Sequence, residues 1–109
     1  MISYFVRYTG ACPNGQAFTQ YYEQKHAPIL RDLTGIRSLI LHRPVPWRDP
    51  YEVKQGGSFL LAQMVFDDPE QLALALHSPA RARARQDFAK FPSFQGHVTH
   101  EALSAKVIF

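Results

Sequence analysis

The segment Ser58–Phe66 constrains this chain most: Phe59, Leu60, Leu61, Met64, Val65 and Phe66 put apolar side chains on both sides of a strand, and only Gln63 clearly interrupts them. Successive strand residues point to opposite faces, so a strand that is apolar on both needs cover above and below. The surrounding sequence has to supply two layers.

Flanking patterns supply one of them. Ile2–Tyr8 is rich in β-branched and aromatic residues and runs into a turn cluster at Gly10, Pro13, Asn14 and Gly15, which predicts a first strand and its loop. From Gln16 to Leu33, Phe18, Tyr22, Ile29, Leu30 and Leu33 fall on one side of a helix. Pro28 inside that pattern removes a backbone donor and is expected to kink or divide the helix near His26. Gly35 suits the stop. Ile36–His42 reads as a second strand, ended by Pro44 and Pro46, and Arg43–Gly57 as a long loop around Trp47 and Tyr51, of the kind that often binds or covers a ligand.

After the apolar strand, Asp68, Pro69 and Gln71 predict a capping box, followed by a helix with Leu72, Ala75 and Leu76 inward. Ser78 and Pro79 repeat the start signal for a second piece through Phe88, ending before Pro92, and His97–Val107 reads as the last strand. The order βαββαβ predicts an α+β, ferredoxin-like fold, a four-stranded antiparallel sheet with its helices on one face. At 109 residues the chain has room for one core, hence a single domain over 1–109.

The other sheet face is then left without helices. Strand three is apolar on both parities, and strand one carries Phe5 opposite Ile2, Tyr4, Val6 and Tyr8. Exposed apolar surface beyond a few hundred Å² marks an interaction site, and the expected partner is a second copy of the chain, face to face, enclosing a dimeric α/β barrel.

Several other classes are disfavoured. Cys12 is the only cysteine and forms no internal disulfide, and no basic segment precedes a long apolar run, so a cytoplasmic protein without membrane association is expected. The net charge of +3 owes much to Arg81, Arg83 and Arg85, which alternate with Ala80, Ala82 and Ala84 and spread around a helix. That reads as solvated surface rather than a nucleic-acid stripe. His42, His97 and His100 are scattered without HxxxH spacing or a cysteine cluster, so no metal is expected. Gly56 and Gly57 precede a strand instead of opening a helix, which disfavours a nucleotide.

His26 shares the apolar side of helix one with Tyr22, Ile29 and Leu30. Partial burial disfavours imidazolium, and neutral imidazole accepts a proton from an acidic C–H or O–H group. A core histidine bonded to Tyr22 or to backbone near Pro28 fits the same pattern. Tyr22 can polarise a carbonyl or simply pack. Trp47, Phe59, Met64 and Phe94 are candidates to line or cap an apolar pocket, with core packing the alternative for Phe59 and Met64.

The order Phe18, Tyr21, Tyr22, His26, Pro28 and Gly35 resembles the EthD family of dimeric α/β-barrel proteins. Phe66 before Asp67 and Asp68, the Ser78–Pro79 pair, and Phe91, Phe94 and Gly96 resemble its second half. The resemblance implies face-to-face dimers with a pocket in each protomer between helix one and the sheet. It also implies small hydrophobic or aromatic ligands, handled without a metal or organic cofactor, in oxidoreductase-associated roles or in those of the related methylmuconolactone isomerases and polyketide cyclases. In the isomerases a helix-one histidine is implicated in proton transfer, and His26 matches it. Their strand-two tyrosine corresponds to Leu39 here, which argues against that isomerisation and leaves Leu39 as a candidate lining residue. The function so implied is a small-molecule enzyme or accessory protein of aromatic, polyketide or xenobiotic metabolism, with His26 as acid/base and Tyr22 as donor. The alternative is a non-catalytic dimer that sequesters a hydrophobic metabolite.

Overall fold

A computed structural model describes residues 1–109. Strand β1 (Ile2–Ala11) leads to helix α1 (Gly15–Tyr21), where the Asn14 side chain accepts the Ala17 N–H at 3.0 Å and caps the start. A π-helical turn over Tyr22–His26 follows, then α2 (Ala27–Leu30). The division near His26 thus takes a definite form: the Ala27 N–H bonds the Tyr22 carbonyl, five residues back, just before Pro28, which has no N–H to give. Regular helix ends at Leu30 rather than Leu33, yet Leu33 stays buried in the turn that follows.

Strand β2 (Ser38–His42) begins two residues later than the sequence suggests. Gly35 at φ +76° turns the chain, Ile36 packs on the core, and the Arg37 N–H reaches the Val65 carbonyl at 2.8 Å before pairing starts. The 43–57 loop has no regular structure, and β3 spans Ser58–Phe66 as read. Asp68 caps α3 (Pro69–Leu76) by accepting the Gln71 N–H at 2.8 Å. The return half of the expected capping box is missing, because the Gln71 side chain lies against Gly35. Ser78 caps α4 (Pro79–Asp87), a short 3₁₀ turn covers Phe88–Lys90, and β4 runs Gln95–Ser104.

The sheet is four-stranded and antiparallel in the order β2-β3-β1-β4, the ferredoxin-like arrangement. Strand β4 is displaced from the expected His97–Val107 because it follows β1: Ala11 pairs Gln95 at one end and Ile2 pairs Ser104 at the other. Past Ser104 there is no strand left to pair, and Val107, Ile108 and Phe109 are exposed.

Register sorts the side chains. Tyr4 lies opposite Met64, Val6 opposite Ala62 and Tyr8 opposite Leu60, all buried and facing the helices. Phe18 and Tyr22 come down onto them, and Tyr8, Phe18, Phe59, Phe91 and Phe94 form one network of aromatic contacts with centroids 5.2–6.2 Å apart. Edge-to-face pairs at such spacing each add about 0.5–1.5 kcal/mol beyond area burial. No helix is long and apolar enough to cross a membrane.

Candidate active site

Beside that aromatic network the helices do not close on the sheet. A cavity of about 260 Å³ lies between them, with Met64 and Phe66 of β3, Val6 of β1 and Leu30 of α2 among its apolar walls. Its polar side chains are Tyr4, Tyr8, Tyr22, His26 and, toward one side, Arg81, Arg85 and His100.

The π turn sets His26 into this wall. Its ring is held edge-on against Phe91 at 4.7 Å and tilted against Tyr22 at 4.9 Å. At its back, Asp87 at the end of α4 bonds Nδ1 through Oδ2 at 2.9 Å, while Tyr21 donates its hydroxyl to Oδ1 at 2.6 Å. An ionised carboxylate only accepts, so Nδ1 carries the proton and Nε2 keeps a free lone pair. No sealed side-chain nitrogen or oxygen in the protein lacks a hydrogen-bond partner. Nε2 of His26 and the hydroxyls of Tyr8 and Tyr22 have no protein partner and line the cavity, so they open onto it.

Protonation states follow from the surroundings. Burial pushes His26 below the ordinary imidazole value and outweighs the opposing hydrogen bond and charge of Asp87. Burial pushes Asp87 up, but bonds from Tyr21 and His26 and the charge of Lys90 outweigh it and hold the carboxyl below its usual range. The hydrogen bond to Asp87, aided by burial and the carboxylate's charge, pushes the Tyr21 phenol up to about 12. Burial raises Tyr8 and Tyr22 well above the ordinary phenol value, so both remain hydrogen-bond donors. The wall therefore offers a neutral, oriented base beside two protonated phenols, and such a set removes a proton and stabilises the oxyanion left behind.

Of the residues singled out in the sequence, His26, Tyr22 and Met64 meet in this cavity. Phe59 and Phe94 do not line it; they belong to the aromatic network behind Tyr8. Leu39 lies in a separate cavity with Ala27, Pro28 and Arg31. Trp47 is 52% exposed on the long loop and touches neither place. Sequence reading missed Asp87, Tyr8 and Tyr21 as parts of the site. It read the arginines of α4 as solvated surface, which holds for the exposed Arg83 and Arg85, yet Arg81 and Arg85 also border the cavity while Arg83 points away, to Asp32. The spacing held that signal: residues four apart share a helix face, and each of these two follows a buried alanine, Ala80 and Ala84. No three His, Cys, Asp or Glu side chains converge as metal ligands.

Solved structures share the architecture. An EthD family protein from Bacillus halodurans superposes with a TM-score of 0.74 at 24% identity, over 97% of this chain and 100% of that one. A monooxygenase from Streptomyces coelicolor, in complex with nanaomycin D, gives 0.66 at 9% identity over 99% and 88%. The cofactor-independent oxygenase SnoaB from Streptomyces nogalater gives 0.63 at 16% identity over 97% and 93%. No curated protein matches the sequence at a significant level. The EthD domain model matches residues 15–95, from the start of α1 to the start of β4 and across every helix that walls the cavity; the chain belongs to the EthD domain family.

Proposed function

We propose that this protein is a small-molecule enzyme that removes a proton from an acidic C–H or O–H group of a hydrophobic or aromatic compound, with His26 as the base. One observation carries the reading: His26 Nδ1 is tied to Asp87 at 2.9 Å while Nε2 opens onto an apolar cavity. The proton passes from substrate to Nε2, and Asp87 faces the imidazolium that forms. The electron pair stays on the substrate as an enolate or phenolate, whose oxygen accepts a hydrogen bond from Tyr22 or Tyr8. Membership of the EthD domain family supports a small-molecule role. The likeness of fold to a cofactor-independent oxygenase supports oxidation of that anion by dioxygen, without a metal or organic cofactor, as the following step.

The direct test is proton exchange. With 2-tetralone, a two-ring ketone with acidic α C–H bonds, in D₂O, the protein is expected to speed loss of the α-proton NMR signal, and His26→Ala to slow it by about a hundredfold or more. Equal rates in the two proteins overturn the reading, and binding without any exchange leaves the sequestering role instead.

The working unit is proposed to be a homodimer joined through the sheet face that carries no helices. Its support is an apolar band: Phe5, Leu61 and Val65 are only half-buried, and Ile40 and Leu103 are 44% and 47% exposed. Light scattering at micromolar concentration is expected to give twice the chain mass, and Leu61→Glu to give one. A wild-type monomer overturns it.

A further inference from the structure

The cavity has one charged border. Arg81 and Arg85 lie one helical turn apart on α4 and line the cavity together with Val98 and His100 of edge strand β4, while Arg83 points away and pairs with Asp32 at 3.2 Å. Neither Arg81 nor Arg85 has a carboxylate within ion-pair distance: the only ion pairs are His26–Asp87, Arg37–Asp67 and Arg83–Asp32. The Arg81 guanidinium carbon sits 5.8 Å from the centre of the Tyr4 ring, which also lines the cavity. A shallower depression shares Tyr4, Leu76, Arg81 and Arg85 with the cavity and opens it outward past His77 and Ser78, so the two arginines stand at the mouth.

Their charge is directed inward as well. Besides burial, the charges of both arginines help keep His100 neutral, and that of Arg85 favours ionisation of Tyr8 inside the cavity. Two neighbouring cations with no anion between them repel each other, and an oxyanion placed there removes that repulsion. Guanidinium groups match a carboxylate through paired N–H donors. Behind them the walls are mostly apolar apart from the tyrosines, His26 and His100, and a volume of about 260 Å³ suits a body of one or two rings.

We infer that Arg81 and Arg85 form the anion-binding end of this cavity, and that its ligand is a ring-bearing acid whose carboxylate, or an equivalent oxyanion, sits at the mouth with its apolar body reaching toward His26. The inference rests on the cavity being the substrate site, as proposed above, and adds what holds the substrate and which way round it lies.

Calorimetric titration of the intact protein with 2-naphthoate and with its neutral isostere 2-naphthamide tests it. The carboxylate is expected to bind about tenfold or more tightly than the amide. In the double variant Arg81→Gln/Arg85→Gln that preference is expected to fall to about twofold or less, with amide affinity unchanged as proof of an intact cavity, while Arg83→Gln keeps the preference. Equal affinity for both probes in the wild type, or a preference that survives the double substitution, overturns the anion site and leaves the cavity as a binding site. Binding of neither probe overturns both.

Discussion

The two faces of the sheet alternate residue by residue along the same strands and have different fates. On the helix side, Tyr4, Val6, Tyr8, Leu60, Ala62, Met64 and Phe66 are buried, and the few polar atoms that lack protein partners line one cavity. On the other side apolar residues alternate with hydrogen-bonded polar ones: Arg7 bonds Ser58 at 2.6 Å, and Gln63 links His42 to Ser3 at 3.1 Å on both sides. One face leaves hydrogen-bonding capacity free inside a cavity, while on the other Arg7, Gln63, His42 and Ser3 bond one another or Ser58, and Glu101 and Thr99 meet solvent. The difference separates the face on which the proposed chemistry rests from the face of the proposed dimer.

The largest expected effect tests burial itself. Phe18 is fully buried at the centre of the aromatic network, so Phe18→Ala is expected to cost about 3–5 kcal/mol in denaturant unfolding. Phe5 on the opposite face is half-buried in the single chain, and Phe5→Ala made in the Leu61→Glu background, expected to be monomeric, should cost under about 1.5 kcal/mol. Equal costs would mean that the open face is as well covered as the core. Next comes Asp87→Asn, which removes the counter-charge behind the base. Catalysed 2-tetralone exchange is expected to fall about ten- to hundredfold, the worth of a charge-assisted hydrogen bond. Because Asp87 opposes the burial that lowers His26, its removal lowers His26 further and moves the acid limb of the rate to lower pH. An unmoved limb would detach Asp87 from the titration.

Stability against pH sharpens the same contrast. Folding makes His26, His100 and Asp87 harder to protonate, so below their ordinary values the unfolded chain binds more protons. Their contribution is fully present above 6.5, the two imidazoles lose theirs as pH falls through the lowered folded values, and the carboxyl adds its loss below 3.8. Tyr8 and Tyr22 act with the opposite sign, contributing below 10.0 and losing that contribution as pH rises. Unfolding midpoints are thus expected to peak between these limits, and Asp87→Asn to remove the Asp87 share of the loss below 3.8, leaving that of Asp67, which Arg37 also holds below its ordinary value. A midpoint that climbs steadily toward acid would contradict the burial of these groups.

Local signals carried most of the architecture. Prolines after β2, the Asp68 and Ser78 caps and the apolar run of β3 each act over a few residues, and each sits where the structure uses it. Helix one was legible to the point of its break, because Pro28 announces a missing donor, although the π turn that answers it depends on which carbonyl lies within reach. Misplaced strand ends share one cause: β2 and β4 start and stop where a neighbour's register allows, and Ser104 is the last residue opposite β1. His26 and Tyr22 were visible through helical periodicity. Asp87 was not, because its 61-residue separation from His26 is closed only when α4 packs against α2.

The smallest expected effect tests whether the rear of the site is rigid. Tyr21 reaches Asp87 from outside the cavity wall, so Tyr21→Phe removes one donor to the carboxylate and leaves the His26 bond in place. Stability is expected to drop by less than for Phe18→Ala, since one hydrogen bond is lost and no core is opened. With one fewer bond holding its charge, Asp87 becomes easier to protonate, which moves the acid loss of stability to higher pH. Exchange on 2-tetralone is expected to slow by about threefold or less, since the base keeps its tautomer and its counter-charge. If instead Tyr21→Phe slows exchange as much as Asp87→Asn does, the carboxylate is aimed by the phenol rather than by its place at the end of α4. Tyr21 would then rank with Asp87 as a residue that positions the base.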